Sequence, residues 1–135
     1  MKRCLVALLA LLLAVQLPAL ADDWSDGNSA FERGEYPTAL ELFRPLAERG
    51  HAGAQAMLGV HYEHGFGVPQ DFAEAATWYR RAAEQGFAPA QAYLGERYYN
   101  GQGVPQDYAE ARKWYSRAAE QGHDYAQYRL GKMYY

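Results

Sequence analysis

From residue 54 onward the apolar positions fall into two alternating helical patterns. Ala54, Leu58 and Tyr62 are spaced i, i+4, i+8, and Ala90, Leu94 and Tyr98 repeat them; this spacing lines one stripe of a helix. A second set, Ala75, Trp78, Tyr79, Ala82 and Ala83, also shares one helical face and returns as Ala111, Trp114, Tyr115, Ala118 and Ala119. The whole stretch from Gly65 to Gly86, GFGVPQDFAEAATWYRRAAEQG, comes back as GQGVPQDYAEARKWYSRAAEQG from Gly101 to Gly122. Leu58 and Leu94, Trp78 and Trp114, and Gly86 and Gly122 each stand 36 residues apart. A fixed period of that length predicts a helical solenoid. The expected fold is therefore all-α, built from antiparallel helix pairs, with units at about 24–53, 54–89 and 90–125 and a partial unit at 126–135.

Punctuation between the stripes supports this reading. Asp71 and Glu74, matched by Asp107 and Glu110, have the spacing of a capping box, in which the first side chain caps the amide at N3 and the second reaches back. Gly86 ends the second helix as a left-handed cap, and Pro89 fits the first turn of the next. Gly59 and Gly95 lie inside first helices, which predicts a helix crossing too close for a side chain. The first unit diverges: a short helix from about Trp24 to Arg33, a turn at Gly34, then apolar residues at 36, 39, 40, 43, 46 and 47. Pro37 suits a first turn, whereas Pro45 predicts a kink or a break near Glu41 to Phe43. At the other end Leu130, Gly131 and Tyr134 keep the register, but Tyr128, Met133 and Tyr135 leave apolar surface. That end is expected to be covered by a partner or a second copy, unless the sequence is a fragment.

The amino terminus adds a destination. Lys2 and Arg3 precede an apolar run from Cys4 to Leu17, and Ala19-Leu20-Ala21 supplies small residues for cleavage, so residues 1–21 read as a signal peptide. The run is about 14 residues, short of the roughly 20 that span a bilayer. A lipid anchor would need Cys directly after cleavage, and the only Cys is Cys4. The expected product is residues 22–135, exported to the periplasm or secreted, with no membrane span. Losing Lys2 and Arg3 moves the formal net charge from −3 to −5. With its arginines scattered among glutamates, such a chain lacks the basic stripe that nucleic-acid binding requires.

Candidate chemistry is sparse. His61 and His64 lie i, i+3 on one helix, but a third metal ligand is not apparent, so they read as partly exposed polar residues; His51 and His123 read as surface at the connections. Gly65-Phe66-Gly67 and Gly101-Gln102-Gly103 follow no strand and lack the third glycine of a dinucleotide loop. Ser25, Ser29 and Ser116 have no nucleophile-elbow setting. The paired acids are explained by capping. Trp78 and Trp114 fall on the buried stripe, while Tyr99, Tyr128 and Tyr135 lie off it, where rigid aromatic groups suit a binding surface. Neither catalysis nor a cofactor is expected.

Ala90, Ala92, Leu94, Gly95, Tyr98, Gly101, Gly103, Val104, Asp107, Ala111, Trp114, Tyr115, Ala118, Ala119 and Gly122 together resemble the Sel-one-like repeat, a longer-loop relative of the tetratricopeptide repeat. The resemblance covers residues 24–135, with the first unit closer to an ordinary tetratricopeptide unit. It implies a right-handed superhelix whose first helices line a concave face that holds a protein or peptide. By that geometry Val60, Glu63, His64, Glu96, Tyr99, Asn100, Lys132 and Tyr135 line the groove. Exported bacterial members are associated with envelope assembly, stress signalling and host contact. A branch linked to penicillin binding and β-lactam hydrolysis has paired cysteines, which this chain lacks. The expected function is a non-catalytic interaction scaffold, with self-association through the last half-unit as a further expectation. The alternative is a binding protein or hydrolase acting on envelope polysaccharide or peptidoglycan.

Overall fold

The structure is a computed structural model that describes residues 22–134; the expected signal peptide and Tyr135 lie outside the described residues. Seven helices and no strand make up the described residues. They are α1 (22–32), α2 (Tyr36–Glu48), α3 (Ala52–His64), α4 (Phe72–Glu84), α5 (Ala88–Asn100), α6 (Tyr108–Glu120) and α7 (Asp124–Met133). From α2 to α7 each helix packs on the next, as an α-solenoid of helix pairs requires.

The helix starts differ from expectation in two ways. The carboxylate of Asp71 accepts the amides of Ala73 and Glu74 at 3.0 and 3.1 Å, and that of Asp107 accepts the Glu110 amide at 3.1 Å. The reciprocal half of the box is not made. The Asp71 amide donates to the Tyr62 carbonyl at 2.8 Å and the Asp107 amide to Tyr98 at 2.9 Å, because the glycine loop folds back onto the end of the first helix. Units also begin at 52, 88 and 124, two residues ahead of the expected starts. His51 and His123 are the reason for two of these, since each imidazole Nδ1 accepts an amide of the following turn, Ala54 at 3.0 Å and Ala126 at 3.3 Å. They are caps rather than bland surface residues. Pro45 neither breaks nor ends α2, which runs through it. Glu41 and Pro45 are both exposed, so water can reach the carbonyl that loses its helical donor.

The core runs as three successive clusters. Phe43, Leu40, Leu46, Leu58 and Trp78 form the first; Tyr79, Leu94 and Trp114 join four alanines of α4 in the second; Ala92, Ala111, Tyr115, Ala118 and Ala126 form the third. Both repeat-stripe tryptophans are core, with Trp78 8% and Trp114 2% exposed, and Trp24 packs partly buried on the first cluster. Gly59 admits an aromatic ring rather than a helix backbone: a Cβ there would run into the ring of Tyr79. At Gly95 the corresponding contact is Tyr115, at 3.0 Å. A glutamine ladder, not anticipated, ties the connections together. Gln55 and Gln91 are buried and donate to the Ala47 and Ala83 carbonyls at 3.1 Å, adding a second donor to helix-end carbonyls that already accept the Gly50 and Gly86 amides. Gln85 and Gln121 donate to them in turn at 2.8 and 2.9 Å.

Candidate functional site

The expected groove residues divide into those engaged within the solenoid and those left free. Glu63 is engaged: it pairs with Arg97 at 2.5 Å and accepts the hydroxyl of Tyr79, so it bolts α3 to α4 and α5. Arg97 is itself buried, with its guanidinium 5.6 Å from the Phe72 ring centre. Burial first, and the negative charge of Glu63 second, push the Tyr79 phenol far above its ordinary value. Glu96 is engaged too, accepting the Tyr125 hydroxyl at 2.5 Å and pairing with Arg129 at 3.7 Å. Val60 packs half-buried against the second core cluster. His64 is exposed and stacks on Phe66 at 5.1 Å, while Asn100 is exposed at the end of α5.

His61 needs correction. It is fully buried, not part of a polar face, because it lies one helical turn after Leu58 on the inward stripe. Its Nδ1 sits 2.7 Å from the Phe66 carbonyl, and Phe31, Tyr36, Phe43 and Phe66 surround the ring. The Nε2 is buried without a partner. Burial pushes its pKa down, more than the bond to Phe66 raises it, and the positive charge of Arg44 lowers it further. No cluster of metal-ligating side chains occurs among the described residues.

Tyr99, partly buried against the third core cluster, and the exposed Lys132 come together in one recess. Along with Tyr108, Ala109, Arg112 and Met133 they line a cavity of about 380 Å³ where the ends of α5 and α7 meet the start of α6. Tyr99 packs 5.1 Å from Tyr108, and the Arg129 guanidinium lies 4.5 Å from the centre of the Tyr99 ring. Lys132 is exposed and reaches over Tyr128. Sequence reasoning flagged Met133 only as apolar surface at the chain's end and missed Tyr108 and Arg112, although the repeat register shows how they differ from the preceding unit. One period earlier, Tyr99, Tyr108, Arg112, Lys132 and Met133 correspond to Glu63, Phe72, Ala76, Glu96 and Arg97. There Arg97 crosses Phe72 and pairs with Glu63. In the last unit both members of that pair are gone, and the recess stands open.

No described helix is long and apolar enough to cross a membrane. Comparison with known proteins identifies the Sel1 repeat at residues 52–87, 88–123 and 124–135. The solved structure of a Sel1 repeat protein from Oxalobacter formigenes aligns with a TM-score of 0.77 and 36% identity, covering 80% of this chain and 44% of that one. A protective antigen present in uropathogenic Escherichia coli strains, displaying an SLR fold, aligns at 0.73 with 37% identity, covering 87% of this chain and 28% of its own. Cysteine rich protein B of Helicobacter pylori shares the fold, with a TM-score of 0.67 and 22% identity over 83% of this chain and 95% of that one. Among curated proteins, DAP3-binding cell death enhancer 1 of Rattus norvegicus and of Mus musculus are each 37% identical over 49 residues, 36% of this chain. The chain spans about 10% of the length of those curated relatives. Sel1 repeat proteins are typically protein-interaction scaffolds. The repeat boundaries coincide with the helix starts at 52, 88 and 124, and the chain belongs to the Sel1 repeat family.

Proposed function

We propose that the chain is an exported, non-catalytic scaffold, periplasmic or secreted, that holds a protein or peptide partner with the faces of α5 to α7. The observation that carries this reading is where the large exposed side chains lie. Tyr93, Tyr108, Tyr125, Tyr128 and Tyr134 are 38–69% exposed, and all belong to the last two units. Rigid aromatic groups on a fixed helical frame lose little entropy on contact and present both an apolar face and a hydroxyl. The buried tryptophans weigh against a surface built to stack on sugars. The test is a photoreactive amino acid at Tyr99 in residues 22–135, crosslinked in an envelope fraction. A discrete protein adduct that is lost on Asn100→Ala supports the scaffold. Recovery of glycan alone would overturn it.

Self-association through α7 is a second reading, favoured by Tyr128 and Tyr134, which are 58% and 69% exposed along it and at its end. A solution mass that stays monomeric as concentration rises would remove this reading.

A further inference from the structure

The recess at Tyr99 has a charge and a shape that define what fits it. Relative to the unit before, Ala76 is replaced by Arg112 and Glu96 by Lys132, so two cations appear where the repeat has an alanine and an acid. Neither Arg112 nor Lys132 forms an ion pair among the described residues. The nearby carboxylates have partners: Glu96 holds Tyr125 and Arg129, Glu110 pairs with Lys113, and Asp107 caps α6. The Ala109 amide takes no bond from that cap, unlike its counterpart Ala73, and is a further donor at the rim. Tyr99, Tyr108 and Met133 supply apolar walls. All of this sits on a protein that is otherwise net acidic.

We infer that this recess is the docking site for an acidic segment of the partner protein, a carboxylate side chain engaging Arg112 and Lys132 while a neighbouring apolar side chain packs on Tyr99, Tyr108 and Met133. The inference rests on the scaffold reading and gives its partner a chemistry. Guanidinium matches carboxylate in a two-pronged geometry, and a local positive field on an acidic surface selects an anionic partner. The cavity's volume, about 380 Å³, is enough for one or two side chains, and its aromatic lining would give a small hydrated anion nothing to pack against.

The probe is a fluorescein-labelled peptide of alternating glutamate and phenylalanine, titrated by fluorescence anisotropy against residues 22–135. Its glutamine counterpart should bind about tenfold or more weakly, and added salt should weaken the acidic peptide. Arg112→Glu and Lys132→Glu should each cost about tenfold or more, while Arg81→Glu, on the outer side of α4, should cost nothing. Tyr99→Glu with Met133→Arg rebuilds the plug of the preceding unit and should abolish binding while circular dichroism stays helical. Equal binding of the two peptides, indifference to Arg112→Glu and Lys132→Glu, or displacement by inorganic phosphate at matching concentration would overturn the inference. If the acidic peptide fails but the Tyr99 crosslink still captures a protein, only this inference falls. If both fail, the scaffold reading falls with it.

Discussion

Three glycines in register offer one substitution with three different outcomes. Gly59, Gly95 and Gly131 occupy the same position of successive first helices, and each would gain about 1 kcal/mol of helix propensity on replacement by alanine if nothing else changed. At Gly59 the new methyl would enter the ring of Tyr79, which is fully buried and held by its hydroxyl to Glu63. That ring cannot swing aside. Overpacking a fixed site costs about 1–3 kcal/mol, so after the propensity gain Gly59→Ala should lose up to about 2 kcal/mol net. At Gly95 the contact is 3.0 Å, and the Tyr115 hydroxyl has no hydrogen-bond partner, so the ring can yield by a few tenths of an ångström and the net change should be near zero. At Gly131 the flank is open, and alanine should stabilise by a few tenths of a kcal/mol, less than the full propensity gain because α7 ends two residues later. Thermal unfolding resolves these differences, since 1 kcal/mol moves the midpoint of a domain this size by about 4–8 °C. Equal midpoints for all three variants, or Gly131→Ala as damaging as Gly59→Ala, would refute the assignment of these glycines to ring packing.

Breaking the Glu63–Arg97 pair with Glu63→Gln should cost about 3–5 kcal/mol in urea unfolding, because Arg97 is left buried without its charge partner. Glu63→Tyr with Arg97→Met, the residues of the last unit, should recover much of that loss, and a double variant no better than the single would contradict it. His61 should make the fold acid-sensitive. Its folded pKa is pushed down, so the unfolded chain takes the proton first; stability is whole above about pH 6.5 and falls below it by up to about 1.4 kcal/mol per pH unit. With His51 and His123 changed to Asn to preserve their caps, His61→Gln should flatten this slope, and an unchanged slope would place the sensitivity elsewhere. Asp71→Ala and Asp107→Ala should each cost about 1 kcal/mol, while Glu74→Ala should cost almost nothing, since it closes no capping box.

The sequence made the periodic part of this molecule legible. Spacing alone placed Leu58, Leu94, Trp78 and Trp114 in the core, and Asp71 and Asp107 at helix starts, because those roles depend on helical register and local hydrogen bonding. What failed depended on distant neighbours. His61 reads as polar by residue type although its register after Leu58 puts it on the inward stripe; what spacing within α3 does not show is that Phe31, Tyr36 and Phe43 of the preceding unit wall its ring. Spacing also could not show that Glu63 and Glu96, read as groove residues, pair with long partners in later helices, Arg97 and Arg129. The histidine caps escaped notice because imidazole is a less common acceptor at that position than Ser, Thr, Asp or Asn.

In a repeat protein, positions that keep the register are explained by packing between neighbours, so departures from it carry the local information. Glu63 and Arg97 join α3 to α5 through a pair shielded by α4 and the Phe72 ring. In the last unit the same two positions are Tyr99 and Met133, and no comparable ion pair holds α7 at this point. α7 is held by the buried Ala126, by Leu130 and Met133 packed on the third core cluster, and by the Arg129–Glu96 link. The substitutions that open the recess therefore also exchange an ion pair between first helices for packing by Tyr99 and Met133 on the third core cluster. A carboxylate docked in the recess would instead sit between Arg112 of α6 and Lys132 of α7, a different electrostatic tie from the α3–α5 pair of the preceding unit.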